Sequence, residues 1–569
     1  MKEYIIGLHN FDDLEEFYED METPGGNLYI PERAVDCQNK RPISRNTHYL
    51  LTPEEAELIS QDPRVAAVSI AKHEIGVTIR PFYTDTSIYW NKSSIPQNFH
   101  KNWGMLRATL KDNSSISNWG SNAGLGEVED VSGTVSITAT GKHVDVIIVD
   151  GHIDPSHPEF AVNADGSGGS RVIQYNWFQH NPAVTGAAAG TYVYTPYVDP
   201  TYGDNNGDGY SDRSHDNDHG CHVAGTACGN TYGWARDANI YNISPYSTNP
   251  NLVSSESIFD YVREFHKNKP INPLTGRKNP TIVNNSWGAG LELDLAATPV
   301  TVLGYRNNGF TNPLEAKLVQ SGLQVSDGLV DLPYYESTLE LDVQDCISKG
   351  IIFVGAAGNS SYKMDTLGGQ DYNNYITVNY FGTTITFYYH RGSSPVMHGT
   401  AVCVGCSDAT PYDNKAFFSN SGPRVDIFAP GRNIISVINT NDGSPTYDYR
   451  NEFKYVDKKS GTSMASPQVT GMIACILEMY PNANQNFIRL YLQDAAQYNQ
   501  IPDTGETEFV TASNTYPYFS LFGGPNRFMY YRRERPVDGA VYPRTNQGIR
   551  QSSGQVFPRP RIYRYGPQT

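Results

Sequence analysis

From Val144 to Val149 every residue but Asp145 is apolar, and Gly350-Ile351-Ile352-Phe353-Val354 repeats the pattern two hundred residues later. A strand that is apolar on successive residues buries both of its faces. That is the habit of parallel strands covered by helices on both sides. These runs therefore predict an α/β domain. The first ends at Asp150 and the second leads to Asn359, and catalytic groups gather at the carboxyl ends of such strands.

A third stretch, Ser460 to Gly471, packs small and hydroxylated residues just before the apolar Met472-Ile473-Ala474-Cys475-Ile476-Leu477. It reads as the head of a buried helix, where the positive end of the helix dipole meets the Ser463 hydroxyl. A serine hydroxyl is a weak nucleophile unless a base, an acid that orients the base, and an oxyanion donor accompany it. Ser and Thr also favour helix starts for capping alone, so the rest of the chain has to decide.

Gly461-Thr462-Ser463-Met464-Ala465-Ser466-Pro467 resembles the nucleophile motif of subtilisin-like serine peptidases. Three further blocks resemble the same family: Asp150-Gly151-His152, His219-Gly220-Cys221-His222-Val223-Ala224-Gly225, and the strand that runs through Ala357-Gly358-Asn359. The resemblance implies a catalytic set of Asp150, His219 and Ser463, with Asn359 donating to the oxyanion. It also implies that Ser286-Trp287-Gly288, with Ala357 and Gly358, binds the extended substrate by β-augmentation. The order of acid, base and nucleophile is that of subtilisins. The implied fold is a doubly wound, mostly parallel sheet with helices on both faces, and the implied activity is serine endopeptidase with a polypeptide substrate. One departure stands out, since the family has Ser or Thr after its aspartate and this chain has Gly151. That keeps an alternative in play, a catalytically silent fold used for structure or binding in a larger assembly.

Residues 1–80 read β-α-β-β-α-β, with Thr52, Pro53 and Glu55 forming a capping box at the second helix. This order suggests a ferredoxin-like domain. It resembles the inhibitory prodomain of the family, an intramolecular partner that would chaperone folding and inhibit. Residues 81–100 are a linker with a possible self-processing junction, and 101–500 form the peptidase domain, with an insertion at about 289–335. Just before His219, the loop Asp204-Asn205-Asn206-Gly207-Asp208-Gly209-Tyr210-Ser211-Asp212 copies the first half of a calcium loop. Asp204, Asn206, Asp208 and Asp212 are candidate ligands for a structural Ca2+; the chemistry itself requires no cofactor. Cys403 and Cys406 are a lone pair on an apolar run and read as strand rather than zinc site. Cys221 lies two residues from the base, where a thiol would confer sensitivity to mercurials unless it is buried.

The net charge of −17 disfavours nucleic acid as a partner. The charge is uneven: nine arginines and two acids give Pro525–Thr569 a net +7, against 34 basic and 58 acidic residues before it. The Tyr-, Arg- and Pro-rich stretch 501–569 thus reads as a separate basic tail, expected to pack on the acidic body or hold an assembly partner. The first residues lack a signal-peptide core and no apolar run approaches a membrane span. Location is left open between intracellular, carried in a particle such as a virion, and exported by another route. Ser360 follows Asn359 where an acid would favour basic substrates, so an apolar or aromatic preference is expected.

Overall fold

The structure is a computed structural model that describes residues 1–31, 37–39, 46–70, 88–91, 102–110, 134–181, 184, 215–244, 258–335, 337–380, 383–393, 395–396, 399, 401–439, 446–510 and 516–532. The Asp204–Asp212 loop, the stretch from 71 to 87 and the residues after Arg532 lie outside these. The chain divides into two compact units, one of them formed chiefly by residues 1–84.

In the first unit, β1 (Lys2–Leu8), α1 (Leu14–Glu22), β2 (Cys37–Asn39), β3 (Asn46–Leu51), α2 (Pro53–Ser60) and β4 (Val65–Ile70) follow one another. The sheet order is β2-β3-β1-β4 and every pairing is antiparallel, the ferredoxin-like arrangement. At α2 the Thr52 hydroxyl accepts from Glu55 N (3.2 Å) while Glu55 Oε2 accepts from Thr52 N (2.8 Å). Two otherwise orphaned donors are thereby satisfied. Phe17, Met21 and Tyr49 close a small core.

The second unit is built on α3 (Trp103–Thr109), β5 (Asp145–Val149), α4 (His215–Cys228), β6 (Asn239–Ile243), α5 (Ile258–Asn268) and β7 (Thr281–Asn285). After an excursion described below, and with β18 (Ile434–Ile438), β19 (Thr446–Asp448) and β20 (Asn451–Lys459) set in a sheet of their own, come α7 (Ser337–Ser348), β13 (Ile352–Ala356), β16 (Val402–Ser407), β17 (Ile427–Pro430), α8 (Thr462–Met479), α9 (Gln485–Ala495), β21 (Gln497–Tyr498) and β22 (Arg527–Phe528). Their sheet has the order β21-β22-β17-β16-β13-β7-β5-β6. All pairings are parallel except that of β21 with β22. Side chains alternate between two cores: Val146 and Ile148 of β5 face α4 and α8, while Ile147 and Val149 face α5 and α7. A strand covered on both sides has no reason to be polar on either, which explains the unbroken apolar runs. The chain goes from β5 to β6 on one side and then to β7 on the other. Asp150 therefore stands at the switch of strand order, where open α/β sheets form their crevice.

The excursion is larger than the expected insertion at 289–335. β8 (Gly290–Asp294), β11 (Val325–Ser326) and β12 (Leu329–Pro333) make one small sheet. β9 (Val300–Tyr305) pairs instead with β10 (Asn308–Thr311) and with β14 (Tyr375–Tyr380), which pairs in turn with β15 (Thr383–Phe387), beyond the expected boundary. With α6 (Glu315–Gln320) they share a core of their own around Leu303, Val330, Tyr362 and Tyr389.

The expected start of the basic tail at 501 also moves. β22 lies within the main sheet, Tyr531 is buried, and its phenol bonds the Thr138 hydroxyl (2.8 Å). A two-residue strand in a Tyr- and Arg-rich segment leaves no periodic trace for the sequence to show. The fold runs to Arg532, the last described residue.

Candidate active site

Asp150 follows the last ladder residue of β5 and is completely buried. Its Oδ1 accepts from Gly151 N (2.8 Å) and from His219 Nδ1 (2.7 Å). Because a carboxylate only accepts, the imidazole hydrogen sits on Nδ1 and leaves Nε2 as the basic nitrogen. Asp150 Oδ2 is buried with no partner among the described residues. Gly151 gives a backbone N–H to Oδ1 but has no hydroxyl to offer Oδ2.

His219 lies in the first turns of α4, and its neighbour Gly220 sets the approach. A Cβ on Gly220 would fall 2.1 Å from the Gly151 carbonyl oxygen, so only glycine lets the helix meet the Asp150 loop. Cys221 is buried with its thiol between the Asp154 N–H (3.2 Å) and the His152 carbonyl (3.5 Å). Burial pushes its pKa well up, so the thiol stays protonated and inert rather than reactive. His222 is fully buried, and its Nε2 faces the carbonyl oxygens of Ile434 (2.8 Å) and Asp457 (3.2 Å). It is a packing residue, neutral and protonated on Nε2.

Ser463 is the second residue of α8, and its hydroxyl donates to the Ser286 carbonyl (2.9 Å). Asn359 ends the loop after β13 and is exposed. Its Oδ1 accepts from both the backbone N–H (2.9 Å) and the hydroxyl (2.8 Å) of Thr462. The amide is thus turned so that its NH2 points away from Thr462. A Cβ placed on Gly461 would lie 3.3 Å from Asn359 Nδ2, 3.5 Å from Ser463 N and 3.7 Å from Ser463 Cβ. Asn359 Nδ2 and Ser463 N thus both lie within 3.5 Å of one position beside the serine, and a hydrogen in place of a side chain on Gly461 leaves that position a hollow. Thr462 was not singled out from the sequence. Its only advance signal was adjacency to Ser463.

Of the expected substrate-binding residues, Ser286, Trp287 and Gly288 continue β7 past its last ladder residue, with Gly288 exposed. Ala357 and Gly358 differ. Ala357 N donates to Val404 O (2.9 Å) and its carbonyl accepts from Asn420 Nδ2 (2.8 Å). Gly358 N donates to the Thr462 hydroxyl (3.1 Å) and its carbonyl accepts from Asn420 N (2.9 Å). Their backbone groups are spent inside the fold, so they offer surface rather than hydrogen bonds. The charge expected to be absent beyond Asn359 is supplied from elsewhere: Ser360 Oγ donates to Asp331 Oδ2 of β12. Asp331 is exposed and carries a carboxylate to the residue next to Asn359.

The candidate calcium ligands Asp204, Asn206, Asp208 and Asp212 lie outside the described residues. Among those described, no group of three His, Cys, Asp or Glu side chains is placed to hold a metal ion. Cys403 and Cys406 are buried in β16, and burial pushes the Cys403 thiol up to about 12.

Comparison with known proteins gives the family of the chain. The model of the subtilase family matches residues 141–515. Cerevisin of Saccharomyces cerevisiae is 27% identical over 277 residues, covering 48% of this chain and 30% of that protein. The subtilisin-like serine protease Pen c 2 of Penicillium citrinum is 28% identical over 277 residues, 48% of this chain and 42% of its own. The match thus spans well under half of these relatives. Among solved structures, a cold adapted subtilisin-like serine proteinase aligns over 77% of this chain and 100% of its own, at 20% identity and a TM-score of 0.42.

Proposed function

Because the chain belongs to the subtilase family, we propose that it is a serine endopeptidase acting through Asp150, His219 and Ser463 with an acyl-enzyme intermediate. The observation that carries this reading is the hollow at Gly461, where Asn359 Nδ2 and Ser463 N both lie within 3.5 Å of one position beside the serine while Asp150 fixes the tautomer of His219. For attack, the Ser463 hydroxyl turns from the Ser286 carbonyl toward His219 Nε2, which takes its proton as the oxygen adds to the peptide carbonyl. The oxyanion that forms accepts from Asn359 Nδ2 and Ser463 N. His219 then gives its proton to the leaving amine, and water repeats the cycle on the ester.

Asn359→Ala tests the reading. Loss of one such donor from a subtilisin lowers turnover by about 10² to 10³, and the same range is expected here with KM nearly unchanged. A change under about tenfold contradicts the role.

The polypeptide substrate and the inhibitory use of residues 1–80 belong to the same proposal. Mass spectrometry of the purified chain is expected to find a cut between residues 74 and 102, and none appears in Ser463→Ala. Structural calcium at Asp204, Asn206, Asp208 and Asp212 is tested separately, by a fall in melting temperature on chelation. The second reading, a silent fold, draws on the resting bond of Ser463 to Ser286 and on the Asp150 Oδ2, which has no partner among the described residues. It predicts no turnover at any pH.

A further inference from the structure

Pro467 stands in the second turn of α8. In a regular helix the carbonyl of residue i accepts from the N–H of residue i+4, and proline has no N–H to give. The carbonyl left without its helical partner is that of Ser463. It does not go unpaired, because Ser286 Oγ donates to it at 2.8 Å. In return the Ser463 hydroxyl donates to the Ser286 carbonyl. Two residues 177 positions apart are thus clasped by a pair of reciprocal bonds.

The clasp has a direction. Asn284, fully buried in β7, donates from Nδ2 to Ser286 Oγ (2.9 Å). An amide NH2 cannot accept, so the Ser286 oxygen is the acceptor there and its single hydrogen is left for Ser463. The amide of Asn284 is held in turn by two hydroxyls one helical turn apart on α8, since Oδ1 accepts from Ser466 and from Thr470, each at 2.8 Å. Ser466 and Thr470 are both completely buried. Hydroxyls in a helix usually bond back to the carbonyl four residues before. Here both point across to β7.

We infer that Asn284 and the Ser286 side chain are positioning residues that fix the backbone of the nucleophile, acting through the Ser463 carbonyl that Pro467 sets free. The inference rests on the peptidase reading of Ser463. Its chemical content is that the first turn of α8 is aimed by a side chain of the sheet rather than by its own helical ladder. The same backbone carries the Ser463 N–H of the oxyanion hollow, so a loosened clasp disturbs both attack and oxyanion binding.

The test is turnover of an amide substrate by the full chain, divided by active sites titrated with a fluorophosphonate. Titration counts only competent sites, so partial misfolding drops out. Ser286→Ala is expected to lower kcat per titrated site by about tenfold or more, with KM within about twofold, since small misplacements of reacting groups are costly. Ser286→Thr keeps the hydroxyl and is expected to retain most of the rate. A purely structural role lowers the melting temperature and the number of sites but leaves kcat per site unchanged, and that result overturns the inference.

Pro467→Ala gives a second, independent arm. It returns an N–H to the Ser463 carbonyl, so in that background Ser286→Ala is expected to cost less than about threefold, a coupling of the kind that contacting groups show. Penalties that simply multiply overturn the inference. Wild-type protein with no titratable site contradicts instead the peptidase reading on which it rests.

Discussion

Gly461 adopts an extended φ of 162° that any residue can take, and an added Cβ would meet nothing closer than 3.3 Å, so neither strain nor collision forces glycine here. A methyl group would sit in the hollow between Asn359 Nδ2 and Ser463 N. Gly461→Ala is expected to cut kcat by about 10² or more, as losing an oxyanion donor does, while the melting temperature stays close to wild type. Equal losses of rate and stability contradict the assignment. His222, three residues beyond the base, makes a different prediction. Burial, then the nearby charge of Lys459, pushes its pKa down to about 3, and burial pushes that of His390 down to about 4, against 6.5 as the ordinary value. The unfolded chain binds protons below pH 6.5 that the folded chain refuses, so these residues' contribution is complete above pH 6.5 and is lost as pH falls toward 4. Each histidine contributes a slope of about 1.4 kcal/mol per pH unit across that window. His222→Gln, which keeps a donor for the Ile434 carbonyl, is expected to flatten the fall in melting temperature between pH 6.5 and 4.5. An unchanged slope contradicts the neutral assignment.

Whether an element was legible in the sequence depended on where its partners lie. β5 and β13 announced themselves because burial on both faces writes an unbroken apolar run, and α2 because its capping box is complete within four residues. Asp150 and Asn359 were found because each closes such a run. Asn284 and Asp331 were not, because their meaning comes from β7 meeting α8 and from β12 meeting the loop after β13, pairings that leave no local pattern. The excursion was seen as an interruption, yet its extent was missed because β9 waits for β14 seventy residues later. The Asp331 carboxylate beside Ser360 is expected to add cationic side chains to the apolar preference. Asp331→Asn is expected to lower the ratio of kcat/KM for basic over apolar peptides by about two- to fivefold, the worth of a solvated ion pair. An unchanged ratio returns the preference to apolar.

At the scale of the whole molecule, a sheet of eight strands links segments from Asp145 to Phe528, so the second unit is completed only near its far end. Phe528 is completely buried, and the Arg107 guanidinium lies 4.2 Å from its ring centroid. Arg107 in turn grips Asp413 through two bonds of 2.7 and 2.8 Å. The Trp103–Arg107 segment, β17 and residues 525–532 are therefore packed together. Phe528→Ala is expected to destabilise the unit by about 3–5 kcal/mol, seen as a large drop in melting temperature. A loss under about 1 kcal/mol contradicts its place in the core.

The central claim is that Ser463 is a nucleophile activated by His219 and served by the hollow at Gly461. Its most direct measurement is peptide mapping after reaction of the full chain with a fluorophosphonate, beside His219→Ala and Ser463→Ala. A single adduct is expected, on Ser463, formed far more slowly in His219→Ala and absent in Ser463→Ala. No adduct on processed wild-type protein, or one on another serine, contradicts it.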